Sequence, residues 1–370
     1  MVKDLKDLKV AIVHDFLVTL GGAEKVTLAL SQIFPQAPIY TLLYNPSLGK
    51  DLPGKKIIVS NLQHLYRWFK LPSKFLLPLM PQAIESFDFS NYDVVISSNN
   101  SFAGGILTTP ETLHLSYCHS PTRYLWDATH TYVEDQSLPA LVRNYVYKML
   151  HRLRIWDRLA AGRVDKYIAN SRYVKNRIQK YYRKSAKVIY PPVDTDKIKP
   201  KDTHSEYFLI ISRLVSYKKI DLAIRACNML KLPLVIIGDG PERQRLEKIA
   251  GPKVEFMGWQ NDKNKIEYLK NCRALIFPGE EDFGIVPVEA MAAGKAVIAF
   301  NKGGVKESVI NGKTGVFFNQ QAISSLVTAI KEFIDQEDSF KPSQIAKTAS
   351  KFGFDRFKEE IIHEVSKHNK

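Results

Sequence analysis

Short runs of continuous apolar residues alternate with amphipathic helical patterns from one end of the chain to the other. An uninterrupted apolar run is typical of a strand buried on both faces, and parallel strands need a long connection that is usually a helix. The pattern therefore predicts parallel α/β sheets that helices cover on both sides. The predicted strands are residues 9–14, 93–97, 113–118 and 166–169 in the first half, and 207–212, 234–238, 254–257, 274–277 and 296–300 in the second.

The chain has 370 residues, more than one ordinary hydrophobic core accommodates, so two domains are expected. Two consecutive prolines, Pro191 and Pro192, fix φ and cannot continue a helix or a central strand, so we place the joint between the domains there. The expected division is 1–192, 193–350 and a tail helix within 351–370, with helical patterns at 324–333 and 354–365.

Composition excludes several classes of protein. Hydrophobic residues make up 45% of the chain and charged residues 25%, as in a globular protein. The cysteines Cys118, Cys227 and Cys272 are too scattered for a zinc motif or a disulfide framework. The N-terminal residues lack the apolar segment of a signal peptide, and no run approaches the roughly 20 apolar residues that span a bilayer. We therefore expect a cytoplasmic protein that is neither secreted nor integral.

The chain is strongly basic, with 53 Lys and Arg against 38 Asp and Glu and a formal charge of +15. Such a charge favours anionic partners, which include nucleic acids, anionic lipids and nucleoside diphosphates. Much of the excess lies between residues 143 and 187. No nucleic-acid-binding motif accompanies these cations, so we expect no nucleic acid partner. A non-catalytic basic protein that binds RNA or membranes is kept as an alternative.

Residues 277–294 combine an apolar strand, an acidic turn and a short helix. Unpaired amides and the positive end of the helix dipole form an anion site at such a helix start. Glu289 lies five residues beyond Gly284, about 7.5 Å along the axis at about 1.5 Å per residue, and Glu281 precedes the helix. One carboxylate could therefore reach each end of a ligand bound there. In the alternative, Glu281 only stabilises the dipole and Glu289 points into water.

Two cations, Arg213 and Lys218, follow the first predicted strand of the second domain. Ligands in open α/β sheets bind at the carboxyl ends of strands, and a guanidinium together with an ammonium can neutralise a diphosphate. Either cation alone could equally be an exposed surface charge. Gly238 and Asp239 close the next strand in a tight turn.

The sequence of the first domain contains fewer candidate ligand-binding residues. Gly21 and Gly22 begin the first predicted helix and could bind an anion, but they lack the Gly-x-Gly-x-x-Gly spacing of an NAD site. His119 follows a predicted strand within the string His-Ser-Pro-Thr-Arg-Tyr-Leu-Trp-Asp. A single histidine in that position is more often a structural group than a catalytic one.

Three strings together resemble the retaining glycosyltransferases of family 4. They are the Glu-x7-Glu segment from Glu281 to Glu289 with its Phe-Gly and Glu-Ala-Met-Ala-x-Gly, the Arg-Leu-Val-x-x-Lys block at 213–218, and the His-x-Pro-x-Arg-Tyr-x-Trp-Asp string at 119–127. The resemblance covers almost the whole chain and is strongest to bacterial O-antigen and exopolysaccharide mannosyltransferases. It implies the GT-B architecture, in which two Rossmann-like doubly wound domains face each other across a cleft and a C-terminal helix crosses back to the first domain.

The resemblance also implies roles for individual residues. Arg213 and Lys218 would bind the donor diphosphate, Glu281 the sugar hydroxyls and Glu289 the ribose hydroxyls. His119 would lie beside the anomeric carbon, and with Arg213, Lys218 and Glu281 it makes up the expected catalytic set. Lys219 stands where many relatives have glycine. The remaining expected donor-binding residues are Gly21, Gly22, Lys219, Gly238, Asp239, Met257, Gly258, Phe283, Gly284, Ile285 and Val286.

The implied reaction is transfer of a hexose to an acceptor hydroxyl in cell-surface polysaccharide or glycolipid synthesis, with retention of the anomeric configuration. GDP-mannose is the first choice of donor, and UDP-glucose, UDP-galactose and UDP-N-acetylglucosamine stay open. No cofactor or metal is expected, because the one Asp-x-Asp, Asp194 to Asp196, falls in the presumed linker. Nucleotide-sugar epimerases and α-glucan phosphorylases share the architecture and are kept as an alternative.

Residues 61–80 mix leucine and aromatic residues with Arg67 and Lys70, and Pro72 interrupts them. This pattern predicts a pair of helices that cover the first sheet. In the alternative, the segment is an interfacial element that docks, together with the basic region 143–187, on anionic lipid at the inner face of the cytoplasmic membrane.

Overall fold

A computed structural model of the chain describes residues 7–69, 73–136 and 138–367. The chain divides into two compact units between Pro192 and Val193. The first unit comprises Met1–Pro192 and Phe357–Lys370, and the second comprises Val193–Arg356.

The first unit contains a seven-stranded sheet in the order β3-β2-β1-β4-β5-β6-β7, and every neighbouring pair is parallel. The predicted parallel α/β sheet is thus confirmed. Four of these strands were predicted, with bounds that differ by up to three residues, whereas β2, β3 and β7 were not predicted. The strands are β1 Val10–Leu17, β2 Ile39–Tyr44, β3 Ile57–Val59, β4 Val94–Asn99, β5 Leu113–Cys118, β6 Lys166–Ala169 and β7 Ala186–Val188.

Seven helices connect these strands within the described residues of the first unit. Apolar side chains of α2, α4 and α6 pack with those of β1 and β2 in one cluster of the core. The helices are α1 Gly22–Ile33, α2 Leu62–Phe69, α3 Ser73–Leu76, α4 Met80–Glu85, α5 Thr129–Glu134, α6 Ala140–Ala160 and α7 Arg172–Tyr182.

The second unit contains a six-stranded parallel sheet in the order β10-β9-β8-β11-β12-β13. Its strands are β8 Phe208–Ile211, β9 Leu234–Ile237, β10 Val254–Gly258, β11 Leu275–Phe277, β12 Val297–Phe300 and β13 Gly315–Phe318, of which β13 was not predicted. Its helices are α8 Ile220–Leu230, α9 Arg243–Ile249, α10 Asp262–Asn271, α11 Ile285–Ala292, α12 Val305–Ser308, α13 Ile323–Asp335 and α14 Pro342–Ala349.

The last helix, α15 (Phe354–Ser366), begins in the second unit and continues into the first. The ring of Phe357 packs edge-on against that of Tyr117, with the ring centroids 5.7 Å apart. The Nζ of Lys187 lies 2.8 Å from Oε1 of Glu364. The first unit is therefore assembled from two separate stretches of the chain.

Residues 61–80 contribute to the core of the first unit. Leu62, Leu76, Leu77 and Met80 are buried in it, as expected for helices that cover the sheet. Lys70, one of the cations considered for a membrane contact, lies outside the described residues. None of the helices in residues 7–69, 73–136 and 138–367 combines the length and apolar character that crossing a membrane requires.

Candidate active site

The strand order reverses once in each sheet, between β1 and β4 in the first unit and between β8 and β11 in the second. In open α/β sheets, ligands bind outside the carboxyl ends of the two strands at such a reversal. Arg213 and Lys218 follow β8, and Glu281 follows β11. The fold therefore brings residues from three of the expected donor-binding positions to one edge of the second sheet.

Lys218 and Glu281 form an ion pair across this edge. Burial, the largest single effect, lowers the pKa of Lys218, but the charge and hydrogen bond of Glu281 together with the charges of Tyr217 and Asp282 outweigh it, and the pKa lies above its usual value. The ammonium is therefore a permanent positive charge at the carboxyl ends of β8 and β11. Arg213 on the same loop is exposed, and no partner of its side chain is found within the described parts of the chain.

Lys219, the neighbour of Lys218, adopts a left-handed backbone conformation with φ of 54°. It directly precedes α8 and its side chain is exposed. Glycine adopts positive φ without the steric cost that a Cβ brings, so a glycine would fit this position without strain. The structure thus places Lys218, and not Lys219, against Glu281.

The start of α11 presents two amides. Gly284 caps the helix with φ of 91°, Ile285 and Val286 are its first two residues, and Pro287 has no amide hydrogen. First-turn amides have no partner inside a helix, so those of Ile285 and Val286 can bind an anion. The ring of Phe283 packs against that of Phe352, with centroids 5.5 Å apart, and anchors the loop before the helix.

A glycine pair outside the expected set positions Glu281. The amide of Gly304 donates a hydrogen bond to the carbonyl oxygen of Glu281, at 2.9 Å. A Cβ at Gly303 or Gly304 would overlap the backbone of Glu281 or Asp282. The absence of side chains at Gly303 and Gly304 therefore allows the loop after β12 to pack directly on the backbone of Glu281 and Asp282.

Glu289 lies on α11 and is buried. Its Oε1 lies 2.8 Å from Nζ of Lys265 on α10, and the same ammonium lies 2.9 Å from Oδ1 of Asp262. Burial, the largest single effect, lowers the pKa of Lys265, but the charges and hydrogen bonds of Glu289 and Asp262 together outweigh it, and the pKa lies above its usual value. The sequence reasoning missed Lys265, although a buried carboxylate generally requires a cationic partner.

Gly238 and Gly258 lie together at the ends of β9 and β10. The amide of Gly238 donates to the carbonyl oxygen of Gly258, at 2.8 Å, and both glycines have positive φ, of 128° and 65°. The carbonyl oxygen of Met257, one of the expected donor-binding residues, accepts a 2.8 Å hydrogen bond from Nε2 of Gln260. The carboxylate of Asp239 accepts one from the amide of Gly240, at 2.7 Å.

His119 in the first unit is buried directly after β5. Its Nε2 lies 2.8 Å from Oγ of Ser98, and its carbonyl oxygen accepts a 2.9 Å hydrogen bond from Nδ2 of Asn170. Burial, with a smaller contribution from the charge of His14, lowers the pKa of His119 to about 3. The imidazole is therefore neutral at physiological pH.

Ser98 links His119 to His14. The register of β1 and β4 sets His14 opposite Ser98, and His14 Nδ1 lies 3.1 Å from Oγ of Ser98. Oγ1 of Thr27 donates to the same Oγ, at 3.0 Å. Burial, the largest single effect, lowers the pKa of His14, but the carboxylate of Glu24, 3.6 Å from its Nε2, the charge of Asp15 and the carbonyl of Ser98 together outweigh it, and the pKa is raised.

The hydroxyl of Ser98 is one of several acceptors for its neighbours. Nδ1 of His14 lies 3.1 Å from both the Oγ and the carbonyl oxygen of Ser98, and Oγ1 of Thr27 also lies 3.3 Å from the carbonyl oxygen of Ala23. Because His119 is neutral, one of its ring nitrogens carries the hydrogen and the other accepts. The spacing of these residues in the sequence gave no sign of this chain of hydrogen bonds.

Asp15 near the end of β1 and Glu24 in the first turn of α1 both accept hydrogen bonds from backbone amides. Oε2 of Glu24 accepts a 2.9 Å hydrogen bond from the amide of Gly21, one of the two expected anion-binding glycines; Gly22 begins α1. The carboxylate of Asp15 accepts four, from residues 100–103, at 2.6 to 3.0 Å. Asp15 therefore holds the loop after β4.

The string after His119 is anchored by side chains of the first unit. Asp127 and Arg177 form an ion pair, and Nε1 of Trp126 donates to Oδ2 of the buried Asp157, at 2.7 Å. Burial raises the pKa of Asp157 to about 6. The aromatic and acidic residues of the string thus fix the position of the loop that carries His119.

Two sequence families match adjacent parts of the chain. The family described as "Glycosyltransferase Family 4" matches residues 20–197, and the family described as "Glycosyl transferases group 1" matches residues 194–352. The chain belongs to glycosyltransferase family 4. The resemblance predicted from the three strings is confirmed, and this glycosyltransferase is an enzyme of the expected class.

Curated relatives align with the glycosyltransferase over most of its length. The alpha-1,3/1,6-mannosyltransferase ALG2 of Dictyostelium discoideum is 25% identical over 99% of this chain and 100% of the relative. ALG2 of Candida glabrata is 27% identical over 83% of this chain and 79% of the relative.

Solved structures share the fold of the glycosyltransferase. Anabaena Alr3699/HepE in complex with UDP and glucose superposes with a TM-score of 0.70 at 18% identity, over 97% of this chain and 99% of that one. Sucrose-phosphate synthase from Thermosynechococcus elongatus superposes with a TM-score of 0.75 at 17% identity, over 96% of this chain and 98% of that one. The predicted fold class, with two Rossmann-like α/β domains of the GT-B type, is confirmed.

Proposed function

We propose that this glycosyltransferase moves a mannosyl residue from GDP-mannose to an acceptor hydroxyl in glycolipid or cell-surface polysaccharide synthesis, with retention of configuration. The observation that carries the proposal is the Lys218–Glu281 ion pair at the strand reversal of the second unit, beside the start of α11. The choice of mannose is supported by the curated relatives, which are named as mannosyltransferases.

In the proposed reaction, positive groups of the second unit bind the diphosphate of the donor. Lys218, Arg213 and the amides of Ile285 and Val286 stabilise the negative charge that grows on the diphosphate as the glycosidic bond breaks. Glu281 binds hydroxyls of the transferred sugar. Glu289 accepts hydrogen bonds from the ribose, and Lys265 pairs with its buried carboxylate.

The proposed displacement occurs on one face of the sugar. The bond from the anomeric carbon to the phosphate oxygen breaks, and a bond to the acceptor oxygen forms on the same face. The hydroxyl proton of the acceptor passes to the departing phosphate. The positioning of the two reactants provides much of the acceleration. Neutral His119 contacts the transferred sugar.

We further propose that the reaction needs no metal and that it occurs at the inner face of the cytoplasmic membrane. The first point is supported by the ammonium of Lys218, whose raised pKa keeps it positively charged and able to balance the charge of a diphosphate. The second is supported by the basic character of the chain, which attracts anionic lipid. The acceptor is a carbohydrate or a lipid-linked sugar.

A donor screen tests this function. Thermal unfolding of the protein is measured with GDP-mannose, UDP-glucose, UDP-galactose and UDP-N-acetylglucosamine, and with GDP alone. We expect GDP-mannose to stabilise most, by about 2.7 kcal/mol at a concentration 100-fold above Kd. Stabilisation by a UDP-sugar alone would refute the choice of donor, and stabilisation by none would refute the site.

The stereochemistry is tested separately. The anomeric proton of the product is followed by NMR during turnover of GDP-α-mannose with a mannoside acceptor. We expect the α-anomer as the first product. A β-linked first product would exclude retention while leaving the donor assignment intact.

A further inference from the structure

Helix α6 (Ala140–Ala160) buries only one of its faces. Leu150, Leu153 and Ala160 are buried, and Val146 and Trp156 pack partly buried against the core of the first unit. Asp157, the only acidic residue in the helix, is buried on the same face. The acidic side chain of α6 therefore lies on its inner face, and the exposed face has no acidic residue.

The opposite face of α6 carries large apolar side chains in the open. Leu141, Tyr145, Ile155 and Leu159 are 85%, 65%, 50% and 65% exposed. Steps of three and four residues keep positions 141, 145, 148, 152, 155 and 159 on one side of a helix. They form a single stripe about 27 Å long, at about 1.5 Å per residue. We call this the α6 stripe.

The middle of the α6 stripe is positively charged. Lys148 and Arg152 lie between the two apolar pairs, and Arg158 lies beside the second pair; all three are exposed. An ordinary surface helix turns its polar side to water, and exposed apolar clusters mark interaction sites. Apolar groups interspersed with Lys and Arg, along a helix that is otherwise packed, are characteristic of a helix that lies in a membrane interface.

We infer that the α6 stripe is the surface by which this glycosyltransferase docks on an anionic lipid membrane, with α6 parallel to the surface. Leu141, Tyr145, Ile155 and Leu159 enter the boundary between headgroups and acyl chains, and the cations bind lipid phosphates. The inference deepens the proposed function, because such docking would bring the enzyme to a lipid-linked acceptor. The inference assigns docking to α6 and not to residues 61–80, where Leu62, Leu76 and Leu77 are buried in the core and only Phe75 and Leu79 are large apolar residues shown as exposed among the described side chains.

The charge of the stripe favours lipid over other partners. A second copy of the chain, packed stripe against stripe, would set cations against cations, because the exposed face of α6 has no acid to pair with them. Nucleic acid would bind the cations but would leave Leu141, Ile155 and Leu159 in water. An anionic membrane satisfies both the apolar and the basic residues.

The test is flotation of the full chain with two kinds of vesicle, pure phosphatidylcholine and a mixture with phosphatidylglycerol, at low and high salt. One variant removes apolar groups (Ile155→Ser with Leu159→Ser), and another reverses charge (Lys148→Glu with Arg152→Glu). The matched controls are Lys175→Glu with Lys180→Glu, which reverses two exposed cations of α7, and Met229→Ser with Ile310→Ser, which removes two exposed apolar groups of the second unit.

We expect the wild type to bind the anionic vesicles at least about tenfold better than the neutral ones, and less at high salt. Both α6 variants should lose at least about tenfold of this binding, and both controls should keep it. The inference would be overturned if the α6 variants bound the anionic vesicles as well as the wild type does, or if the controls lost as much binding as the α6 variants. It would also be overturned if the wild type did not bind these vesicles. A wild-type dimer in gel filtration that the α6 variants abolish would also overturn it, in favour of a second copy.

Stabilisation by GDP-mannose is measured on the same samples. We expect the α6 variants to retain it, because these residues lie in the first unit and outside the donor-binding set. Donor binding without vesicle binding would refute the docking surface alone, whereas vesicle binding without donor binding would refute only the proposed donor.

Discussion

The ammonium of Lys265 on α10 lies 2.8 Å from the buried carboxylate of Glu289 on α11. The two residues are 24 positions apart in the sequence and belong to helices that follow different strands. The two opposite charges therefore lie in contact in the interior of the second unit.

Removing Lys265 alone should destabilise the protein. We expect Lys265→Met, which keeps the apolar stem, to lower the free energy of unfolding by about 3 kcal/mol, because Glu289 is left buried without its partner. Adding Glu289→Gln should restore part of this loss. Urea unfolding measures both values. Lys270→Met on the same helix breaks an exposed pair with Glu267 and should cost no more than about 1 kcal/mol. A loss for Lys265→Met as small as for this control would contradict the coupling.

The Lys218–Glu281 pair should be needed for turnover more than for folding. We expect Lys218→Ala and Glu281→Gln each to lower kcat by about 100-fold, since contacts made in the transition state are worth about 3–4 kcal/mol. Steady-state assays with the identified donor give the rates, and circular dichroism checks the fold. Lys302→Ala, which breaks a neighbouring exposed pair with Glu280, is the control and should leave kcat close to wild type. Near-wild-type rates in both site variants would refute the assignment.

The left-handed backbone at Lys219 predicts a stabilising substitution. Lys219→Gly should raise the free energy of unfolding by up to about 1 kcal/mol, because glycine avoids the Cβ penalty at φ of 54°. Turnover should be retained, since Lys218 holds the ion pair. Lys175→Gly inside α7 is the control and should instead lower stability by about 1 kcal/mol. A tenfold loss of turnover in Lys219→Gly would show that its ammonium also serves the donor.

Excess EDTA should leave turnover unchanged, because the proposed diphosphate site uses Lys218, Arg213 and helix amides in place of a divalent cation. The measurement is the initial rate after dialysis against chelator, with and without added Mg²⁺ or Mn²⁺. A rate that falls to background with EDTA and returns with either ion would refute the metal-free proposal.

The buried His114 should make the protein sensitive to acid. Burial lowers its pKa to about 3, so between that value and about 6.5 the unfolded chain binds a proton that the folded chain excludes. Stability therefore falls as the pH decreases through this window, by about 1.4 kcal/mol per pH unit for one histidine. His114→Gln should reduce the slope by that amount between pH 6 and 5. Urea unfolding of both proteins at each pH measures it, and equal slopes would contradict the low pKa.

The fold could be predicted at several strands that lie in long, continuously apolar runs, although β2 was missed. β4, β5 and β9 lie in such runs and were found to within a few residues. β3 and β7 have only three residues each. Neither is long enough to show an alternation of apolar and polar residues or a recognisable apolar run. Their place in the sheet depends on pairing with a neighbouring strand, which local sequence does not encode.

The candidate site was predictable only where its residues belong to a recognisable string. Lys218 and Glu281 were found in this way. Ser98 and Lys265 were not, because their importance comes from partners brought close by strand register and helix packing. One sequence signal could have identified them. A carboxylate or an imidazole that is expected to be buried requires a hydrogen-bonding or charged partner, and that partner can be sought among the polar residues of neighbouring elements.

The tail helix has a consequence for how the protein is made. Phe357 packs on Tyr117, and Glu364 pairs with Lys187, so the first unit receives its last piece only after the ribosome has synthesised all of the second. The ring of Tyr117 also lies against His119, with centroids 5.2 Å apart. Cutting the gene at the paired prolines would therefore separate the catalytic histidine candidate from the residues that hold its neighbour. A circular permutant that starts at Val193 would instead encode each unit as one uninterrupted stretch.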